Sequence, residues 1–151
     1  TILKQPTCCS FGADISFGSD LDKFVKKAPK QVDEARRKTV LDLFSAIIKD
    51  TPVDTGRAKG NWQTSVGTVR AAVLERIDPT GQGDMGTEVE TDLLAALAQW
   101  SDDDTITLAN GLPYILRLED GSSKQAPAGM ARRNVKRFEP LLNAAAVQAR
   151  K

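Results

Sequence analysis

The chain has no histidine, and its only two cysteines, Cys8 and Cys9, are neighbours. Adjacent cysteines rarely reach disulfide geometry without strain, so no disulfide framework is implied. With neither His nor further Cys, the usual zinc and copper sites are nearly excluded. A reducing, intracellular compartment is the simpler expectation. No apolar run approaches the roughly 20 residues that a membrane span needs, and Thr1 to Gly18 has no basic start followed by a long apolar core. A water-soluble chain with no secretory signal and no membrane partner is therefore expected. Aromatic residues make up only 5% and the formal net charge is +1. That balance disfavours a module built to hold nucleic acid by general basicity and stacking.

What is present fits one globular domain. At 151 residues with 40% apolar and 27% charged content, the chain is long enough to bury a real core. The charges are sorted along it. Residues 75–120 carry eleven acids and two bases, residues 130–151 six bases and one acid, and residues 21–49 eight bases and four acids. An acidic face and a basic face on one molecule suit a charged partner or a head-to-tail copy of the same chain.

Residues 1–19 mix Gly and Ser with isolated apolar residues such as Phe11, Ile15 and Phe17, and read as an extended N-terminal arm ahead of a single domain over 20–151. Ser19 or Asp20 can cap a helix, and Pro29 falls where a kink or a new first turn would form. From Lys30 to Lys49, Val32, Ala35, Val40, Leu43, Phe44, Ile47 and Ile48 keep a helical period, the strongest in the chain. Pro52 stops that helix near Asp50. A tight turn follows, in which Asp54 and Thr55 can bond local N–H groups and Gly56 supplies a position free of Cβ sterics.

Alternation then predicts strands over 61–67 and about 69–77, paired as a hairpin near Gly67-Thr68. Residues 78–86 read as a flexible loop and Glu88 to Trp100 as a helix capped by Thr87. Thr105 to Ala109 reads as a short strand, and Asn110 as a residue suited to left-handed angles. Pro113 opens a short helix through Leu118 or Glu119, with Tyr114 available to the core and Gly121 as its C′ residue. A basic helix closes the chain from Met130 to Lys151, bent or restarted at Pro140. The order of elements predicts an α+β fold, a small antiparallel sheet packed by the long N-terminal helix and a C-terminal helix.

Several local patterns invite chemistry. Asp54-Thr55-Gly56 is the tripeptide of aspartic proteases, whose mechanism needs two such carboxylates; one copy would require a homodimer, and a helix rather than an apolar strand precedes it. The run from Gly81 to Gly86 fits a dinucleotide fingerprint but lacks the preceding strand, and Asp84 would oppose a pyrophosphate. Asp102, Asp103 and Asp104 lack the ligand spacing of a calcium loop. Arg132, Arg133, Lys136 and Arg137 share neighbouring helical rows and could meet phosphates or an acidic protein surface.

Two blocks carry a resemblance. Thr51-Pro52-Val53-Asp54-Thr55-Gly56-Arg57, with Asn61-Trp62 behind it, and the stretch from Asn110 through Pro113-Tyr114, Leu118-Glu119, Gly121-Ser122-Ser123 and Gln125-Ala126-Pro127 to Met130 stand in this order. Together they resemble the neck and tail completion proteins of long-tailed bacteriophages. The resemblance covers about 21–140 and implies a structural virion protein. It would form a ring, most commonly a hexamer, at the head-proximal end of the tail, completing the tail for joining to the head. The implied partners are copies of itself, the tail-tube or terminator protein and head-completion proteins, with DNA passing through without sequence-specific contact. The implied location is the virion, after assembly in the host cytoplasm. No reaction, metal or cofactor is implied. The expected subunit interface places Phe11, Ile15 and Phe17 against an adjacent copy, and Asp84 and Glu88 near its basic run Arg132, Arg133, Lys136 and Arg137. The arm and residues 78–88 are expected to become ordered only in the assembled ring. Two other classes remain as alternatives, a small enzyme using Asp54 or the Gly81–Gly86 loop and a nucleic-acid-binding module using residues 132–137.

Overall fold

A computed structural model describes residues 15–101, 103–138, 140, 143 and 147, with side chains from residue 30 onward. Helix α1 spans Ile15–Lys49, α2 Arg57–Gly60, α3 Thr87–Gln99, α4 Ile115–Glu119 and α5 Ala131–Val135. Strands β1 (Trp62–Val66) and β2 (Ile106–Asn110) pair antiparallel, with Trp62 opposite Asn110 and Val66 opposite Ile106. The α+β class holds: a two-stranded antiparallel sheet packs against α1 and α3, and α5 lies against α1.

The core forms where the helical stripe of α1 meets the sheet and α3. Val40, Leu43, Ile47 and Ile48 from α1 pack with Trp62 from β1, Val89, Leu93 and Leu97 from α3, and Trp100 and Met130. Val32, placed in the same stripe by its spacing, is exposed, as is Val135 in α5. Helices α1 and α3 are also joined by charge. The Arg37 guanidinium donates to the carbonyl oxygens of Leu97 and Trp100. Those carbonyls end α3, which has no basic residue in its own last turn, so a cation from another helix meets the negative end of the dipole. Arg36 lies 4.0 Å from the Trp100 ring centroid, a cation–π contact beside the same carbonyls.

Besides the caps, where Ser19 and Asp20 lie inside α1 and Gly86 rather than Thr87 precedes α3, four expectations about the elements change. Residues 15–19, read as part of an extended arm, form the start of α1, so Ile15 and Phe17 belong to a helix; residues 1–14, including Phe11, lie outside the described residues. Of the two readings of Pro29, a kink or a new first turn, the new first turn is excluded, because a 35-residue helix runs through it and retains the bonds on either side. The basic C-terminal helix breaks at Lys136 and Arg137, where a turn follows α5, and Pro140 is itself helical.

The fourth change is the largest. Residues 69–77 form no strand and no hairpin with β1, whose partner is β2. The segment is held instead by side chains of the polar face of β1 and the residue before it. Asn61 Oδ1 accepts from Leu74 N–H (2.7 Å), Asn61 Nδ2 donates to the Arg76 carbonyl (3.3 Å), Gln63 Nε2 donates to the Ala72 carbonyl (2.6 Å) and Ser65 Oγ accepts from Arg70 N–H (3.3 Å). Backbone groups that a ladder would have paired are met by amides and a hydroxyl.

Candidate functional site

The turn after α1 is built as the sequence requires. The last helical bond runs from Asp50 N–H to the Ala46 carbonyl, and Pro52, which follows Thr51, is buried. Thr51 Oγ1 donates to the Ile47 carbonyl and accepts from Trp62 Nε1, both at 2.8 Å, which ties the end of α1 to β1 through the buried indole. Gly56 has φ 80°, and a Cβ there would lie 2.0 Å from the Asp78 carbonyl oxygen. Thr55 Oγ1 accepts from Arg57 N–H at 3.4 Å. Asp54, expected to make such a bond too, is exposed and has no hydrogen-bond or ion-pair partner among the described residues.

The second block closes on the first. The Gln125 side-chain amide meets the Val53 backbone at both ends, its Oε1 accepting from Val53 N–H at 2.8 Å and its Nε2 donating to the Val53 carbonyl at 3.0 Å. Asn110 lies within β2, so its role is not a left-handed turn. Its Nδ2 donates to the Ala58 carbonyl (2.8 Å) and its Oδ1 accepts from Leu112 N–H (3.2 Å), which joins the end of the sheet to α2 and starts the turn at Pro113. Helix α4 ends as expected. Gly121 N–H donates to the Leu118 carbonyl and Ser122 N–H to the Arg117 carbonyl, both at 3.1 Å, a Schellman pattern around Gly121 at φ 86°. The Pro127 carbonyl packs so close to Gly121 that a Cβ would lie 2.3 Å from its oxygen.

Glu119 does more than lead into a loop. Its carboxylate accepts from the N–H groups of Met130 (3.0 Å), Ala131 (2.9 Å) and Arg132 (2.7 Å), capping α5 from another element. Burial pushes its pKa up, but these three donors and the Arg132 charge outweigh that and hold it below the usual carboxylate range.

Between the blocks lies a polar cluster that the sequence did not reveal. Lys59 is fully buried, and its Nζ donates to Thr80 Oγ1 (2.8 Å), the Gly81 carbonyl (2.9 Å) and the Thr80 carbonyl (3.2 Å). All three ammonium protons therefore have acceptors. Burial lowers the Lys59 pKa, opposed by the charges of Asp78 and Asp84. Asp78 is also buried. Its carboxylate accepts from Thr80 Oγ1 (2.5 Å), Thr80 N–H (3.0 Å) and Gly86 N–H (2.7 Å). Burial raises the Asp78 pKa, yet these bonds and the Lys59 charge leave it below the usual range.

This cluster gives residues 78–86 anchors within their own subunit, where the expectation had looked for them on a neighbouring copy. Gly83 N–H to the Lys49 carbonyl and Gln82 Nε2 to the Gln125 carbonyl, both 3.0 Å, add two further anchors. It also bears on the dinucleotide pattern: the Asp78 carboxylate sits against Gly86 at the start of α3, where a pyrophosphate would have to lie.

The proposed interface residues separate. Arg132 pairs with Asp120 (3.4 Å) and Arg133 with Asp50 (2.6 Å), the latter carboxylate also accepting from the buried Asn134 amide at 2.7 Å. Glu88 approaches Arg76 at 3.8 Å, and Arg76 pairs more closely with Asp92 at 2.7 Å. Asp84, Lys136 and Arg137 are exposed. In the acidic turn, Asp104 accepts from Ser101 Oγ at 2.6 Å and Asp103 is exposed, whereas Asp102 lies outside the described residues. Among the described residues no three His, Cys, Asp or Glu side chains converge as a metal site would require, and no helix is long and apolar enough to cross a membrane.

Where the two blocks converge there is a pocket of about 240 Å³, lined by Pro52 to Ala58 of the first block and by Tyr114, Leu118, Ser123 and Gln125 of the second. Compared with known proteins, the chain matches no protein family, no curated protein and no solved structure.

Proposed function

We propose that the chain is a structural subunit of a bacteriophage neck, assembling with copies of itself into a ring at the head-proximal end of the tail. In this reading it completes the tail and permits joining to the head, carries out no reaction and takes no cofactor. Its neighbours are the tail-tube or terminator protein on one side and head-completion proteins on the other, with DNA passing through the ring. It is made in the host cytoplasm and ends in the virion.

The observation that carries this reading is the two-point clamp between Gln125 and the Val53 backbone, which joins the two blocks on which the resemblance rests across 72 residues of chain. Residues recognised as a signature are tied into one scaffold by Gln125, Asn110 and Glu119, an arrangement that suits architecture. The sorted charges add to it, because a heterologous contact joins unlike faces and can close a ring. A nucleic-acid module is less well supported, since Arg132 and Arg133 are engaged by acids of their own chain. Electron microscopy of purified tails, with native mass spectrometry of the released necks, tests the proposal. A closed cyclic assembly is expected, most simply a hexamer, and two-fold dimers in the assembled particle would overturn it.

A further inference from the structure

Asp54 and Tyr114 stand out among the signature residues because the fold gives their polar atoms no task. The Asp54 carboxylate is exposed without a partner among the described residues, and Tyr114, 37% exposed, lines the same pocket. Val53 and Leu118, both half-buried, add apolar side chains to the same lining. Arg57, the base that also borders the pocket, is already met by Glu75 at 3.1 Å. An apolar wall, an aromatic face and an unneutralised carboxylate are what the stem and head of an arginine or lysine require.

The chain carries a matching group. Of the four bases in its basic run, Arg132 and Arg133 are paired within the subunit, while Lys136 and Arg137, in the turn after α5, are exposed with no acidic partner among the described residues. We infer that Arg137 of a second copy, with Lys136 beside it, docks in the pocket between Asp54 and Tyr114. The guanidinium lies against the phenol face and pairs with the carboxylate, while the stem covers the apolar wall. The inference rests on the ring reading, because it joins two different surfaces of one chain and so repeats head to tail. It replaces the expected pairing of Asp84 and Glu88 with the whole basic run.

Native mass spectrometry of the 151-residue chain over a concentration series tests the contact. Wild type is expected to self-associate, and Asp54→Arg and Arg137→Glu are each expected to weaken association by about tenfold or more, as a charge reversal across a contact does. Tyr114→Ala should weaken it independently. An equimolar mixture of the two charge-reversed variants should recover association, because each offers the face the other needs. Melting curves close to wild type would show that the variants fold, as expected for exposed positions. Unchanged association in any variant, or a mixture that fails to recover, overturns the contact. Recovery only when both reversals are in one chain places the pair within a subunit and also overturns it. A wild type that stays monomeric at every concentration overturns the contact while leaving the ring reading to be judged on assembled tails.

Discussion

At Gly56 and Asp54, two positions apart in one turn, the physical demands are opposite. Gly56 holds a left-handed backbone with the Asp78 carbonyl where a Cβ would be, whereas Asp54 faces solvent. Gly56→Val should therefore cost upward of about 3 kcal/mol, combining φ strain with a backbone clash. Asp54→Asn should stay within about 0.5 kcal/mol of wild type. Thermal melts of the two variants check the ranking; a large loss from Asp54→Asn would mean that the carboxylate has a structural partner after all. Glu119 makes a pH prediction. Its folded pKa lies below its unfolded value, so the stability it contributes is present above the unfolded pKa, about 4.3, and is lost as pH falls through the folded one. Denaturant melts from pH 6 down to pH 3 should show stability falling across that window. Glu119→Gln should flatten this dependence and cost about 1–3 kcal/mol at neutral pH, because an amide retains only one acceptor oxygen for three donors. Loss of stability with an unchanged pH slope would assign the slope to other carboxylates.

The elements were legible where a local signal decides them. The stripe from Ala35 to Ile48, the stop at Pro52 and the Schellman glycine at 121 are written in neighbouring residues, and all three stand in the fold. Residues 69–77 were misread because their alternating Val69, Ala71 and Val73 are all exposed and mark no packed face; side chains of Asn61 and Gln63, rather than a strand, meet their backbone. Lys59 gave no signal, since lysine is almost never fully buried unless its charge is met, and its acceptors lie 21 and 22 residues away. Of the candidate site, the two blocks could be seen, but their meeting through Gln125 and the capping of α5 by Glu119 are tertiary facts with no local period. The Lys59 cluster predicts a separable effect. Lys59→Met should leave the sheet and α1 folded while residues 79–86 lose hydrogen-exchange protection, because Thr80 and Gly81 lose their shared donor. Uniform loss of protection across the chain would show that the cluster supports the whole core instead.

For the whole molecule, order within the subunit changes what assembly has to supply. Residues 79–86 are anchored by Lys59, Asp78, Lys49 and Gln125, so their amide protection should be nearly the same in free protein and in assembled necks. A large gain on assembly would mean that these anchors open in solution. Helix α1 has a further mechanical consequence. Its 35 residues extend about 52 Å at the ordinary helical rise, and from Asp33, in the turn that meets α3 through Arg36 and Arg37, back to Ile15 is roughly 27 Å. A tilt of about 10° at the core end would carry the tip roughly 5 Å along an arc, since a stiff rod of that length magnifies small rotations at its root. Arg37, gripping the last carbonyls of α3, would sit near the fulcrum of such a tilt, and Pro29, which lacks a helical donor, lies between it and the tip.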